Sequence, residues 1–142
     1  MIAYRWDGRQ CRLFFRIVSD NYNDVKQLID FLAQLRKEFH RKQIILVWDG
    51  LPSHRSRVMS TYLKEQCKWL STVRLPGYAP DLNPVESVWG DIQSKELANL
   101  CTDDLGGMVA GVRDGFTRVH SQGHLLHSFL KHAGLSFGEG VS

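Results

Sequence analysis

The sequence predicts a mixed α/β domain, on three observations. A hairpin pattern opens the chain, strand-length apolar runs follow, and segments with helical periodicity lie between and after them. Helices that alternate with strands cover the faces of a sheet, and an opening hairpin adds antiparallel strands to it. With 142 residues, 43% of them hydrophobic, the chain can build one domain with its own core. We therefore expect one domain over residues 1–135 and a frayed tail over residues 136–142.

The first predicted element is a hairpin. Residues 2–6 form its first strand and residues 11–18 its second. The Asp7-Gly8 dipeptide between them suits a tight turn, because both residue types tolerate positive φ. The first strand begins at the initiator methionine, so we expect no element upstream of it.

A helix and a central strand come next. Apolar residues at three- and four-residue steps predict a helix over residues 25–39. Ile44 to Val47 then form an uninterrupted apolar run inside a strand over residues 43–48. Such a run is typical of a strand buried on both faces by helices, and this is the prediction for it.

The remaining elements follow from turn formers and periodicity. We predict a helix over residues 56–67, a strand over residues 69–75, and a loop rich in proline and glycine. A helix begins after Pro84, because Asn83 suits the N-cap and proline suits the first helical position. Two further helices complete the domain, with a break at residues 121–123.

Composition narrows the class of protein. No stretch approaches the ~20 apolar residues of a membrane span, and the N-terminus has no signal-peptide pattern, so we expect a soluble cytoplasmic protein. Three widely spaced cysteines without a CxxC pair favour reduced thiols over disulfides or zinc. The net charge of +3 is compatible with nucleic-acid contact without identifying it.

Two carboxylates stand out by position. Asp49 follows the apolar strand at its carboxyl end, where α/β sheets form ligand sites because side chains there leave the core. Glu86 lies in the first turn of the helix after Pro84. Each has a structural alternative. Asp49 would close the strand as a turn residue, and Glu86 would complete a capping box by bonding back to the Asn83 amide.

Two segments around these acids carry a family resemblance. Residues 44–54 read IILVWDGLPSH, and residues 75–89 read LPGYAPDLNPVESVW. They resemble the second-aspartate and third-acid motifs of the DDE transposases of the mariner-like superfamily, in its bacterial insertion-sequence branch. The second motif is the more specific, because a proline-tyrosine-proline loop leads into Asn-Pro-hydrophobic-Glu with a tryptophan three residues later. The looser resemblance extends from about Ile2 to Leu135.

The resemblance implies a fold and an activity. The fold would be ribonuclease-H-like, a mixed five-stranded sheet flanked by helices. Three family carboxylates bind two Mg²⁺ or Mn²⁺ ions for DNA strand cleavage and transfer. Asp49 matches the second acid and Glu86 the third, as catalytic residues and as metal ligands. The implied partner is DNA at transposon ends, with a homodimer as a candidate assembly.

Supporting residues are carried over in the same way. His54 resembles a motif histidine and would orient a ligand or contact phosphate; alternatively it is a polar residue near a helix start. Asn83 would support the third acid. Arg55, Arg57 and Lys64 would contact the DNA backbone, where cations release counterions, or would form a solvated helix face.

The first family acid has no match. The resemblance places it on a strand upstream of the hairpin, and the one acid before Ser19 is Asp7, whose context is a turn. The leading hypothesis is therefore a partial catalytic domain that lacks its first strand and is impaired in catalysis. One alternative is an active enzyme whose missing acid comes from Asp7 or from a separate upstream chain. Another is a non-enzymatic DNA- or protein-binding remnant of the same scaffold.

One histidine group is weighed as a metal site. His120, His124 and His127 follow helical spacing, which would place three imidazoles on one face. Gly123 interrupts that helix, however, and no carboxylate accompanies the three rings. A solvated surface is the prediction for them.

Overall fold

The computed structural model describes residues 1–5, 7, 9–17, 25–77, 79–98, 100 and 104–137. Over these residues the chain is a mixed α/β protein, as predicted. Its strands and helices, in chain order, are β1 (Ile2–Tyr4), β2 (Cys11–Leu13), α1 (Val25–Glu38), β3 (Ile44–Trp48), α2 (Arg57–Glu65), β4 (Leu70–Arg74), α3 (Pro84–Ile92), α4 (Leu105–Ser121) and α5 (Gly123–His132).

The predicted order of elements is confirmed. Helices occupy the segments proposed for α1 to α5, and α4 gives way to α5 at Gln122, inside the predicted break. Short 3-10 turns at Pro52–Arg55 and Pro80–Leu82 precede α2 and α3, and a π-helical turn at Gln93–Leu97 extends α3. In the described part of the chain, no helix combines the length and apolar character that a bilayer span requires.

Two compact units make up the chain. The first, called the hairpin unit, joins Met1–Ile17 to Pro80–Ser142, and the second, called the middle unit, is Val18–Ala79. The described strands pair within these units as an antiparallel pair, β1 with β2, and a parallel pair, β3 with β4. The continuous five-stranded sheet implied by the family resemblance stays a prediction.

The hairpin unit is built around one apolar cluster. Ile2 lies opposite Leu13 in the β1–β2 register, and both strands are shorter than predicted. Pairing ends at Phe14, whose N–H donates to the Met1 carbonyl over 2.8 Å. The hairpin packs on α4 and α5, and α3 contacts both of those helices. The buried residues of this cluster are Leu13, Val88, Ile92, Phe116, Val119 and Leu126.

Close helix packing in this unit depends on glycine. A Cβ atom built on Gly115 of α4 would lie 2.8 Å from Ile92 Cγ2 and 2.9 Å from Glu96 Oε2. Real Cβ atoms do not approach other heavy atoms so closely, so a larger residue would have to push α4 away. Gly115 therefore sets how near α4 comes to α3 and the π-helical turn.

An ionic network ties the same elements together. Arg118 on α4 donates from Nη2 to Asp91 Oδ2 over 2.6 Å and to Glu96 Oε2 over 2.9 Å. Lys95 adds a 2.6 Å contact to Asp91 Oδ1. Hydrogen bonding from Arg118 is the main cause that lowers the pKa of Glu96. Burial alone would raise the pKa of Asp91, but hydrogen bonds from Lys95 and Arg118 outweigh it and lower that pKa.

In the middle unit, strand β3 is not buried on both faces, although the sequence had predicted this. Ile44 of β3 pairs with Leu70 at the start of β4, and Leu46 and Trp48 are buried, each 8% exposed. Ile45 and Val47, however, are 71% and 53% exposed. Successive side chains of a strand point to opposite faces, so one face of β3 is covered and the other is not. The prediction of burial on both faces was wrong, because an unbroken apolar run does not itself supply the second covering layer.

Candidate catalytic carboxylates

Asp49 lies directly after β3, as the sequence predicted. Its Oδ1 atom is 2.8 Å from His54 Nδ1 and accepts the Leu51 backbone N–H over 3.1 Å. The Asp49 side chain is 48% exposed. The side chain is therefore oriented through one oxygen, while Oδ2 has no hydrogen-bond or ion-pair partner among the described residues.

His54 is fixed by the residue that precedes Asp49. Its ring is stacked on the Trp48 indole, with centroids 4.4 Å apart and planes 8° from parallel. Both side chains are largely shielded from solvent. Trp48 is buried at the end of β3, and the His54 side chain is 11% exposed. Strand β3 therefore positions Asp49 directly through the backbone and again through the Trp48–His54 stack. No sequence pattern predicts this stack, because it depends on how the chain turns back after Gly50.

Glu86 lies in the first turn of α3, and its N-cap is the predicted one. Asn83 Oδ1 accepts the Val85 N–H over 3.2 Å, and Pro84 occupies the first helical position. The capping-box alternative for Glu86 is wrong. The Asn83 N–H already donates to the Pro80 carbonyl over 2.8 Å, so it needs no carboxylate acceptor. Glu86 is exposed, and its carboxylate has no ionic or hydrogen-bonding partner in the described part of the chain.

Helix α3 holds Glu86 on a rigid base. Val88 and Ile92 are fully buried on the opposite side, in the apolar cluster of the hairpin unit. Trp89, on the same helix, meets the Phe116 ring of α4 edge-on at a centroid distance of 5.0 Å. The orientation of Glu86 is therefore set by packing that the carboxylate does not join.

Asp7 has the geometry of a turn residue. Its Oδ2 atom is 3.1 Å from Arg5 Nε, and its Oδ1 atom accepts the Arg9 N–H over 3.0 Å. Both carboxylate oxygens are therefore used inside the hairpin. This arrangement supports the interpretation of Asp7 as a structural residue.

The three predicted DNA-contacting cations are exposed. Arg55 ends the 3-10 turn that carries His54, and Arg57 begins α2. Lys64 lies seven residues after Arg57 and so falls on the same face of α2. Their side chains form no ion pair with any described residue. Their contact with DNA stays a prediction.

The histidine group does not form a metal centre. The Nδ1 atom of His120 lies 3.1 Å from the carbonyl oxygen of Leu13. The Nδ1 atom of His127 lies 3.3 Å from Cys11 Sγ. His120 and His124 are exposed, as predicted, whereas His127 is half-buried. The prediction of a solvated surface was therefore wrong for His127, because the hairpin packs against α5.

The donor atoms of the two acids suit a hard divalent cation. Carboxylate oxygens are the ligands that Mg²⁺ and Mn²⁺ prefer, and each acid has an oxygen open to such an ion. Asp49 belongs to the middle unit and Glu86 to the hairpin unit. Across the described ranges, no three His, Cys, Asp or Glu side chains form a ready metal-binding group. Joint binding of one ion by Asp49 and Glu86 stays a prediction.

Comparison with known families identifies the class. The model of the DDE superfamily endonuclease family matches residues 8–105. The matched segment covers more than half of the chain and contains Asp49 and Glu86. The chain therefore belongs to the DDE superfamily endonucleases, which act on DNA and generally use divalent metal ions. No curated protein gives a significant match.

Proposed function

We propose that this chain is the partial catalytic domain of a DNA transposase of the mariner-like branch, with Asp49 and Glu86 as two of its metal-binding carboxylates. The proposal rests on the position and the surroundings of these two acids. Each lies inside the family match, each is oriented by its own local structure, and each keeps a carboxylate oxygen free. A ribonuclease-H-like sheet is part of the same proposal.

The protein residues would hold Mg²⁺ or Mn²⁺ through Asp49 Oδ2 and the Glu86 carboxylate. When bound, such ions supply Lewis-acid activation of the attacking oxygen and charge stabilisation at the leaving oxygen of a phosphoryl transfer. His54 keeps Asp49 Oδ1 occupied, so that the ligand atom is presented in one orientation. Asn83 performs the equivalent task for Glu86 by fixing the start of α3.

Exposed cations would bring the substrate to these acids. Arg55 and Arg57 lie within eight residues of Asp49 in the middle unit, and Lys64 continues the same surface of α2. Contacts from such side chains to phosphates fix the position of a duplex and carry no sequence information. We therefore propose backbone contact, without choice of a target sequence, for these three residues.

The proposed catalysis is impaired in this chain taken alone. Its residues match two of the three family acids, and Asp7 has both carboxylate oxygens engaged by the hairpin. A site with fewer carboxylates binds hard cations more weakly, because ligand charge sets the affinity. We expect weak metal binding, and slow or absent DNA nicking, unless a separate polypeptide supplies the remaining acid.

Isothermal titration of the full chain with Mn²⁺ tests the site. The variants Asp49→Asn and Glu86→Gln should each reduce Mn²⁺ affinity by about tenfold or more, since each removes a charged ligand. Asp30→Asn and Asp114→Asn are matched controls, because each removes an exposed aspartate from the same unit as one of the two acids. Equal affinity of all four variants and the wild type would overturn the proposal. Binding of DNA without any dependence on metal or on Asp49 would favour the non-enzymatic alternative.

A further inference from the structure

A basic surface lies in the middle unit, at the end of the β3–β4 pair that is away from Asp49. Ile44 pairs with Leu70 at the start of both strands, so the chain just before each strand lies at the amino end of the pair. Asp49, in contrast, follows β3 at its carboxyl end. The exposed basic side chains at the amino end are Lys37, His40, Arg41, Lys42 and Lys68. We call these five residues the amino-end surface.

Arg36 holds the two segments of the amino-end surface together. Its Nη1 atom donates to the Lys42 carbonyl over 3.4 Å, and its guanidinium lies over the Trp69 ring, 5.0 Å from the ring centroid. Trp69 is buried, and its carbonyl accepts the Ile44 N–H over 2.7 Å. One arginine therefore joins the turn before β3 to the segment before β4, and the two segments are fixed relative to each other.

Arg41 occupies a backbone position that favours glycine. Its φ is 63°, and it is the one non-glycine residue with a positive φ in the described part of the chain. The Lys42 N–H donates to the Phe39 carbonyl over 3.0 Å, so Arg41 is the third residue of a β-turn, where a positive φ selects glycine or asparagine. A larger side chain at positive φ costs conformational free energy. The arginine is thus present despite a local cost to folding, which is typical of a position that serves a function.

The positive charge of the amino-end surface is not neutralised within the fold. Lys37, Arg41, Lys42 and Lys68 form no ion pair with any described residue, and residues 37–42 contain one carboxylate, that of Glu38. A basic residue in the last turn of α1 complements the helix dipole, which accounts for Lys37. The other three cations lie beyond the helix ends, outside the turn in which that effect acts. Their charge is therefore available to a ligand.

The composition of the surface favours a polyanion over a folded protein as the partner. None of the exposed large apolar side chains of the described chain lies in residues 37–42 or 66–68. Protein interfaces have an apolar core and are depleted in lysine, so these segments do not fit one. Exposed lysine and arginine side chains instead suit DNA phosphates, because their contact releases condensed counterions.

Helix α2 connects the two ends of the β3–β4 pair. Since the strands are parallel, the chain must return from the carboxyl end of β3 to the amino end of β4, and α2 lies in that crossover. Arg57 begins α2 and Lys64 lies in its last turn. The five residues of β3, at about 3.3 Å each, give a separation of about 16 Å between the two ends. Cations of α2 therefore lie along the path from Asp49 to the amino-end surface.

We infer that the amino-end surface binds the phosphodiester backbone of duplex DNA, as the far end of a DNA-contacting surface that begins beside Asp49 and follows α2. The inference rests on the proposed DNA substrate, and it extends the contact to the end of the middle unit that carries no candidate acid. Backbone contacts of this kind position a duplex without reading its sequence.

Fluorescence anisotropy of a labelled duplex of mixed sequence, titrated with the full chain in EDTA at several salt concentrations, tests the inference. Arg41→Gly and Lys68→Gln should each weaken binding several-fold and lower the slope of log affinity against log salt by about one. Since glycine adopts a positive φ without steric cost, Arg41→Gly should unfold at the wild-type temperature or above it. Weaker binding in that variant therefore comes from the missing guanidinium and not from a loss of structure.

Arg113→Gln is the matched control, because Arg113 is an exposed arginine on α4 in the hairpin unit. Its affinity and salt slope should stay at the wild-type values. Equal weakening in Arg113→Gln would show that binding follows net charge alone and would overturn the inference, as would wild-type binding in both Arg41→Gly and Lys68→Gln. Displacement of the labelled duplex by polyglutamate as effectively as by unlabelled duplex would overturn DNA as the occupant in favour of an acidic protein.

Arg57→Gln separates this inference from the proposed function. Weaker binding in Arg57→Gln, with wild-type binding in Arg41→Gly and Lys68→Gln, would remove the amino-end surface and leave the proposed DNA substrate in place. A wild-type chain that does not bind the duplex would contradict both. Because EDTA removes divalent ions, failure of the Asp49–Glu86 metal site would leave these results unchanged.

Discussion

His54 Nδ1 lies 2.8 Å from Asp49 Oδ1, and the His54 ring is stacked on Trp48 of the preceding strand. The imidazole thus joins a buried residue of β3 to a half-exposed carboxylate just beyond the strand end. A histidine that holds one oxygen of a carboxylate leaves the other oxygen oriented for a ligand. Residues that hydrogen-bond to a metal ligand in this way commonly affect both the metal affinity and the activity of a site.

Replacement of His54 by alanine should weaken Mn²⁺ binding by about 10- to 100-fold, because Asp49 loses the donor that orients it. The variant His54→Asn retains an N–H donor near the Nδ1 position and should recover part of that affinity. Calorimetry with Mn²⁺ measures both, with thermal unfolding as a check on folding. Wild-type affinity in His54→Ala would show that His54 does not position Asp49.

Replacement of Gly115 by alanine should destabilise the protein by about 1–3 kcal/mol, because the new Cβ would overlap Ile92 Cγ2 at 2.8 Å. Gly90→Ala is the matched control. Gly90 lies in α3, and a Cβ there would meet nothing within 4 Å, so alanine should stabilise the helix by about 0.5–1 kcal/mol. Urea unfolding followed by circular dichroism gives both free energies of unfolding. Equal effects of the two substitutions would contradict the close approach of α4.

The Arg118 network should make stability depend on acid pH. The pKa values of Asp91 and Glu96 are lowered in the folded state from their ordinary values of 3.8 and 4.5. Their unfolded forms therefore take up protons first, and the stabilisation is complete above pH 4.5 and declines as pH falls through and below that value. Urea unfolding as a function of pH should show this decline in the wild type.

The variant Arg118→Leu is the comparison for that pH series. It removes the donor to both carboxylates, so it should lower stability at neutral pH by about 1–3 kcal/mol and flatten the decline in acid. A decline of the same size in the variant would place its origin in other carboxylates.

Local patterns predicted the elements and caps well. Asn83 and Pro84 are a short-range signal for the start of α3, and the structure places both in those roles. The capping box failed because the competing acceptor, the Pro80 carbonyl, belongs to a 3-10 turn that has no strong pattern of its own. Apolar content alone likewise could not show that Ile45 and Val47 lack a covering layer.

Contacts between distant residues could not be predicted at all. Arg118 meets Asp91 and Glu96 across more than twenty positions of sequence, and Cys11 meets α5 across more than a hundred. No periodicity encodes such pairs, because they depend on how helices pack after they form. The two candidate acids were found from their motifs, whereas the Trp48–His54 stack that orients Asp49 emerged from packing.

We propose that Asp49 and Glu86 ligate the same divalent ion. A crystal structure of the full chain soaked with Mn²⁺, with the metal located by anomalous scattering, tests it most directly. We expect an anomalous peak within about 2.0–2.4 Å of Asp49 Oδ2 and of a Glu86 carboxylate oxygen. A manganese ion bound to neither carboxylate, or to one of them with the other turned away, would contradict it.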